Sequence, residues 1–230
     1  SNVDRDEYYE SYLETYISRD IKDLTQVGDE LAFLNFIGIV AARTATNVNY
    51  EALAAEAAIS APTAKQWLSL LISSNNALKR AIKAPRMYFL DTGLCSYITR
   101  WSSPEVLERG AMSGQLFETW VVSEIYKSFI NNGKRPPLYF YRDSNKKEID
   151  LVIYKDGIVN PIEIKKSASP KDATKNFSVL KPIEREPEED DIFSGTAHLK
   201  TTIGTGAVIC MMQDVLPIDK KNWYIPAWLI

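Results

Sequence analysis

The stretch EIDLVIYKDGIVNPIEIK, residues 148–165, decides the fold of the second half of the chain. Two runs rich in Ile, Val and Leu, at 148–154 and 158–165, flank a short polar segment that contains an Asp-Gly pair. Such runs on either side of Asp-Gly are typical of two strands joined by a tight turn. The sequence therefore predicts an antiparallel hairpin that turns at 155–157.

Three charged side chains of this hairpin are expected to meet. Glu163 and Lys165 stand two residues apart, so both project from the same side of their strand. Asp150 lies seven residues before Gly157 and Glu163 lies six residues after it, which brings the two carboxylates together across the hairpin. Paired carboxylates suit a hard divalent cation such as Mg²⁺ or Mn²⁺, and the lysine can hold an attacking water or a phosphate oxygen. A basic neighbour such as Lys165, Lys166 or Arg142 could instead balance the carboxylates without metal.

The rest of the chain divides into a helical first part and a strand-rich second part. Apolar spacings of three and four predict helices over 5–24, 29–43, 50–58, 61–72, 113–131 and 169–180, with Leu31, Leu34, Ile37 and Val40 on the apolar side of the second. Alternating or β-branched runs predict further strands over 87–90, 138–142, 207–212 and 223–230, and a turn at 91–93. Trp228 is expected to anchor the core from the last strand.

Residues 50–72 have a helix-turn-helix pattern. Ser60 is the predicted cap of the second helix, and Pro62 is compatible with its first turn. A winged version needs a strand pair next, but Ser73-Ser74-Asn75-Asn76 leads directly to Leu78-Lys79-Arg80, so either the wing is absent or the sequence lacks a segment here. The second helix offers one cation, Lys65, and the first carries two glutamates, so a packing or interaction role is favoured over DNA reading.

Charge is unevenly distributed along the 230 residues, although the net charge is -3. Residues 1–78 hold 5 basic and 11 acidic residues, residues 79–175 hold 17 and 11, and residues 176–230 hold 5 and 8. A polyanionic partner is therefore expected to meet the middle third. The candidate nucleic-acid-binding residues are Arg142, Lys146, Lys147 and Lys166, with a second basic run at Lys79, Arg80, Lys83 and Arg86.

Composition excludes several classes of function. Two cysteines, Cys95 and Cys210, cannot make a disulfide framework, and the one histidine, His198, argues against a histidine-rich metal site or a Ser-His-Asp triad. No apolar run is long enough for a membrane span, and no secretory leader is evident, so a cytoplasmic location is expected and no membrane partner. The chain also lacks a G-x-x-x-x-G-K-[ST] phosphate loop.

The spacing Asp150, twelve intervening residues, then Glu163-Ile164-Lys165 resembles the signature of the PD-(D/E)xK phosphodiesterase superfamily. Glu118, in the long helix before the strands, matches the additional helical glutamate of that superfamily. The resemblance implies metal ligands at Asp150, Glu163 and Glu118, and a catalytic Lys165.

Further stretches are similar to the C-terminal region of a large family of bacterial and archaeal AAA-type ATPases. The similar stretches are YLETYISRDI at 12–21, YFLDTGL at 88–94, GQLFE at 114–118, YFYR at 139–142, EID at 148–150 and IPAW at 225–228. That region is a domain of unknown function with a winged-helix part and a nuclease-like part. Members usually carry the wing strands that are missing here.

The expected fold is therefore α+β, with a helical helix-turn-helix domain over 1–85 and a restriction-endonuclease-like mixed sheet, flanked by helices, over 86–230. The resemblance implies two alternative functions for this module of the ATPase. One is a Mg²⁺- or Mn²⁺-dependent nuclease. The other is a non-catalytic module with a degenerate nuclease fold that binds a protein partner or regulates the motor. In both, ATP binds only to the ATPase core of the same full-length protein.

Overall fold

The computed structural model describes residues 4–15, 29–73, 86–182, 184–185 and 199–230. The chain separates into two compact units, Ser1–Ser123 and Glu124–Ile230. Helices dominate the first unit and strands dominate the second, which confirms the α+β class. The domain boundary expected at 85/86 stays a prediction, since the compact units divide later, within a long helix.

The first unit is built from helices around one apolar core. Its elements are α1 (Arg5–Thr15), α2 (Glu30–Ala42), β1 (Thr46–Asn47), α3 (Tyr50–Ala57), α4 (Ala61–Ser73), β2 (Arg86–Met87), α5 (Thr92–Ile98), α6 (Pro104–Arg109) and the start of α7 (Ser113–Asn131). Strand β1 pairs antiparallel with β2. Phe33 and Phe36 pack edge-on against Trp67 at the centre of the core, which joins α2 to α4.

Helices α3 and α4 confirm the predicted helix-turn-helix. Ala58 ends α3 in the left-handed conformation, and the Ser60 hydroxyl accepts a hydrogen bond from the Thr63 backbone N–H, as a helix cap does. The residues where a wing would lie, 74–85, fall outside the described residues, as do 16–24 of the first predicted helix, the cations Lys79, Arg80 and Lys83, and His198.

Three local predictions in the first unit are wrong in whole or in part. Leu31 and Leu34 are 79% and 37% exposed, because α2 turns Phe33 and Phe36 toward the core instead, whereas Ile37 and Val40 are buried as predicted. Asp91 does not belong to a free turn: its carboxylate accepts from the Leu94 N–H and caps α5. The strand predicted over 87–90 is limited to β2.

The second unit is organised around a mixed sheet. Its strands are β3 (Leu138–Arg142), β4 (Glu148–Lys155), β5 (Ile158–Lys165), β6 (Glu184–Arg185), β7 (Leu199–Lys200), β8 (Thr202–Ile203), β9 (Gly206–Cys210), β10 (Leu216–Pro217) and β11 (Asn222–Pro226). Among the described residues the sheet order is β10-β11-β9-β5-β4-β3, with β8 also pairing with β5. Strands β5, β9 and β11 run parallel, and the other pairs on this path are antiparallel. Strands β6 and β7 pair separately.

The helix predicted over 169–180 is wrong. Apart from a single 3-10 turn at Phe177–Val179, this segment is a loop, held by short-range turn bonds and by bonds to the neighbouring strands. Tyr224 donates to the Pro170 carbonyl, and the Asn176 amide donates to the Glu148 carbonyl. Strand β11 is shorter than predicted, and Trp228, which follows it, is 65% exposed rather than a core anchor.

Candidate functional site

The β4–β5 hairpin has the predicted turn and register. Asp156 and Gly157 have φ values of 53° and 77°, the left-handed conformations that a tight hairpin turn requires. The paired residues run from Lys155↔Ile158 to Leu151↔Ile162. One further step along both strands places Asp150 across from Glu163, as the spacing in the sequence predicts.

A β-bulge lies at Asp150. Strands β3 and β4 pair at Tyr139↔Val152 and again at Tyr141↔Ile149, so one residue of β3 faces two residues of β4, Asp150 and Leu151. Bulges redirect side chains and are frequent beside functional sites. Nothing in the sequence indicates this bulge, because Asp150 and Leu151 sit in a run of ordinary strand formers.

Asp150 is buried and bound on two sides. Its Oδ2 accepts a hydrogen bond from the Ile164 backbone N–H at 2.9 Å and lies 3.6 Å from the Lys165 Nζ. The paired register ends at Leu151↔Ile162, so the carboxylate accepts the N–H of β5 just beyond the last paired residues. This bond holds the Asp150 side chain beside the end of β5.

Glu163 is the least satisfied carboxylate of the site. Its Oε1 lies 2.6 Å from the Lys165 Nζ, but its Oε2 is buried and has no hydrogen-bond partner. On the next strand its register partner is Val208, which is fully buried, so the neighbouring position of the sheet is apolar. Burial, and then repulsion from the Asp150 carboxylate, raise the pKa of Glu163, and Lys165 opposes the rise.

The structure therefore brings Asp150, Glu163 and Lys165 together. Within the described part of the chain, no group of three or more His, Cys, Asp and Glu side chains could hold a metal ion. The two carboxylates nevertheless offer the hard oxygen ligands that Mg²⁺ and Mn²⁺ prefer, and the Glu163 Oε2 is an acceptor that still needs a positive partner. These residues fit such an ion.

Glu118 contacts Tyr88 and Arg86 in the first unit. The Tyr88 hydroxyl donates to its Oε1 at 2.9 Å, and the Arg86 Nε lies 3.3 Å from the same oxygen. Arg86 also donates to the Ala45 carbonyl at 2.8 Å, so this candidate phosphate ligand is bound inside the unit. Sequence reasoning missed Tyr88, and the metal role of Glu118 stays a prediction.

The candidate nucleic-acid-binding residues lie beside the hairpin in different states. Arg142 forms an ion pair with Glu148 at 3.2 Å. Lys146 and Lys147 are exposed in the β3–β4 turn, where the Asp143 carboxylate accepts from the Lys147 N–H. Lys166 is half-buried directly after β5. Their contact with nucleic acid stays a prediction.

The fold and the site define an α+β protein with a carboxylate–lysine hairpin. The chain belongs to the family described as Domain of unknown function (DUF4143), whose model matches residues 113–230. A second model, Domain of unknown function (DUF8612), matches residues 1–105. The two matched ranges correspond closely to the strand-rich and the helical unit.

Two curated relatives are uncharacterized proteins of Mycobacterium bovis and Mycobacterium tuberculosis. Each is 24% identical over 180 residues, which is 74% of this chain and 40% of the relative. The chain thus spans well under half the length of the curated relatives that it matches. No solved structure matches the chain significantly. None of the described helices is both long and apolar enough to span a bilayer.

Proposed function

We propose that the chain is the C-terminal module of an AAA-type ATPase and that Asp150, Glu163 and Lys165 form a divalent-cation-dependent phosphodiesterase site for nucleic acid. The observation that supports this most is the Glu163 Oε2, a buried acceptor without a partner next to a second buried carboxylate. A purely structural cluster is expected to satisfy such an atom, since an unpaired buried polar group is costly.

Each residue has a distinct role in this proposal. Asp150 and Glu163 hold the cation, and the bond from the Ile164 N–H keeps Asp150 oriented before the ion arrives. The bound cation lowers the pKa of a water molecule and stabilises negative charge on the phosphate. Lys165, whose side chain is 44% exposed, can leave Glu163 and hold an anionic phosphate oxygen.

Titration of the full chain with Mn²⁺ by calorimetry tests this proposal. We expect saturable binding that is lost in Asp150→Asn and in Glu163→Gln, while circular dichroism shows an unchanged fold. The matched control is Asp156→Asn, which removes an exposed carboxylate at the opposite end of the same hairpin, where asparagine tolerates the positive φ. Absence of Mn²⁺ binding in the millimolar range would overturn the metal site.

Cleavage is tested separately, with linear DNA and RNA incubated with Mn²⁺. We expect slow cleavage that requires Lys165, because the lysine contacts the phosphate rather than the metal. Lys165→Gln should therefore keep Mn²⁺ binding and lose cleavage. Equal cleavage by Lys165→Gln and the unchanged chain would contradict the assigned role.

One observation favours a second candidate, a non-catalytic interaction or regulatory module. The Lys165 Nζ lies within 4 Å of both carboxylates and balances part of their charge without metal. In that case neither the unchanged chain nor Asp150→Asn binds Mn²⁺, and Asp150→Asn lowers the melting temperature. The matched measurement of binding and melting therefore separates the two functions.

The partner that we propose for either function is the ATPase core of the same full-length protein. The resemblance of the quoted stretches to the AAA-type family supports this, as does the greater length of the mycobacterial relatives. We expect no ATP binding by the 230 residues alone, because they contain no phosphate loop. Micromolar ATP affinity in calorimetry would contradict that expectation.

A further inference from the structure

Several loops and strand ends of the second unit lie on the same side of its sheet. Here an edge of the sheet means the side at which strands begin or end, not an outermost strand. Strands β5, β9 and β11 are parallel and all end at this edge, and β3 ends and β4 begins there. The β3–β4 turn and the loop 166–176 after β5 consequently lie at the same edge as Asp150 and Lys165. The opposite edge carries the β4–β5 turn and the residues that precede β11.

The loop 166–176 is held in place by contacts with three strands or their ends. The Ser167 carbonyl accepts from the Met211 N–H at 2.9 Å, and the Pro170 carbonyl accepts from the Tyr224 hydroxyl at 2.9 Å. The Asn176 amide donates to the Glu148 carbonyl at 2.8 Å. Ala173 is buried, so the loop is part of the folded unit.

These contacts place exposed lysines from two segments near each other. The bond between Asn176 and Glu148 joins residues that directly follow Lys175 and Lys147. Lys146, Lys147, Lys171 and Lys175 are all exposed and have no ion-pair partner among the residues that the structure describes.

The acidic residues of this edge offset these lysines only in part. Glu148 is paired with Arg142, and the Asp143 carboxylate accepts a backbone bond within its own turn. Asp172 is the exposed acid of the loop 166–176, and Asp214 is exposed in the segment that joins β9 to β10 at the same edge. Among the described residues, the edge therefore presents more exposed ammonium groups than exposed carboxylates, beside the buried Asp150 and Glu163.

We infer that Lys146, Lys147, Lys171 and Lys175 form a basic rim that binds the phosphodiester backbone of nucleic acid beside Asp150, Glu163 and Lys165. Lys171 and Lys175 belong to the loop that follows the catalytic strand, and their placement depends on the fold of that loop. Ammonium groups on flexible stems neutralise successive phosphates without reading bases, so the rim binds without sequence preference. The inference rests on the proposed function in taking nucleic acid as the ligand.

Salt-dependent binding of labelled DNA to the full chain in EDTA tests the rim without any metal or cleavage. Each phosphate contact contributes a slope of about -0.9 in log K against log salt for duplex DNA and about -0.7 for single strands. We expect the double variant Lys171→Gln, Lys175→Gln to reduce the slope by about 1.4 to 1.8, depending on the probe. Both probes are used, and the one bound more tightly identifies the preferred form.

The matched control is the double variant Lys220→Gln, Lys221→Gln, which removes the same charge from the exposed turn before β11 at the opposite edge. We expect its slope to equal that of the unchanged chain. Equal losses in the two double variants, or no measurable DNA binding by the unchanged chain, would overturn the rim. If the unchanged chain binds DNA through the rim but does not bind Mn²⁺, only the proposed metal site is contradicted. The failure of the rim and the failure of the metal site are therefore distinguishable.

Discussion

Glu118 in the first unit and Glu163 in the second are buried to almost the same extent, 9% and 7% exposed, yet their surroundings differ. Glu118 receives a tyrosine hydroxyl and lies beside an arginine. Glu163 shares one half-exposed lysine with a second carboxylate and keeps an oxygen without a partner. Burial alone therefore does not distinguish a carboxylate whose oxygens have partners from one that keeps an oxygen without a partner.

The balance of charge around each carboxylate makes the distinction. In the first unit, the Glu118 carboxylate lies beside the Arg86 guanidinium, which also bonds to the chain at Ala45. In the second, the Lys165 ammonium lies within 4 Å of both the Asp150 and the Glu163 carboxylates. A folded protein keeps an unbalanced buried cluster at a cost in stability, and such clusters are concentrated at functional sites. Mutations at the two glutamates should consequently change stability in opposite directions.

The largest effect is expected from Glu118→Ala. It leaves the Arg86 guanidinium buried without its carboxylate, and breaking a buried ion pair costs about 3 kcal/mol or more. Urea unfolding of the full chain, followed through the helical circular dichroism signal, measures this loss. Tyr88→Phe serves as a graded control, with a loss of about 1.5 kcal/mol for one bond to a charged acceptor. An unchanged midpoint in Glu118→Ala would remove the structural half of the comparison.

A second effect concerns Cys95, a fully buried thiol of the first unit. Burial, with the nearby Asp91 carboxylate, raises the pKa of Cys95 to about 12. The Cys95 thiol of the folded protein then keeps its proton at pH values where the thiol of the unfolded chain has lost it. The free energy of unfolding therefore falls as pH rises from about 9 toward 12, by about 1.4 kcal/mol per pH unit for this thiol.

Cys95→Ala should remove that part of the alkaline decline. Urea unfolding at several pH values measures the slope in both chains, and the difference between the slopes isolates the thiol. Cys210→Ala, in the second unit, is the matched control and should change the slope less. If the free energy of unfolding has the same pH dependence in the unchanged chain and in Cys95→Ala, the raised pKa of Cys95 is contradicted.

A smaller effect of opposite sign is expected from Glu163→Gln. Removing the charge relieves both the burial cost and the repulsion from Asp150, which are the two main causes of the raised pKa of Glu163. We expect a gain of about 1 kcal/mol at neutral pH, within the usual range of a single substitution. The gain should appear in metal-free buffer and shrink when Mn²⁺ is present, because only the unchanged chain is stabilised by the ion.

The control for this gain is Glu56→Gln, at an ion pair with Arg43 on the surface. Exposed pairs contribute little, so we expect a change below about 0.5 kcal/mol. A loss of stability in Glu163→Gln comparable to that in Glu118→Ala would show that both glutamates are structural.

Much of the second unit could be predicted because its signals are local. The Asp-Gly turn, the strand periodicity on both sides and the spacing of Asp150 from Glu163 all lie within 148–165, and the structure confirms the hairpin. The helix-turn-helix was equally accessible, since its capping residue and helix formers are consecutive.

The failures occurred where partners come from distant segments. Residues 169–180 were predicted as a helix, but they form turns, and bonds to Tyr224 and Glu148 fasten the segment to distant strands. Leu31 and Leu34 have helical spacing but are exposed, because the side of α2 that packs against Trp67 carries Phe33 and Phe36. Trp228 is as apolar as a core residue, yet the last strand ends before it.

The sequence by itself determined which residues meet at the hairpin, because a tight turn between two strands leaves one register that buries the apolar face. Only the tertiary structure decided what these residues meet with. The bulge at Asp150, the buried Val208 beside Glu163 and the loop that brings Lys175 near Lys147 all depend on strands paired across long separations in the chain. The charges of a site follow from its residues. The partners of each charged group depend on tertiary packing, which a local sequence pattern does not predict.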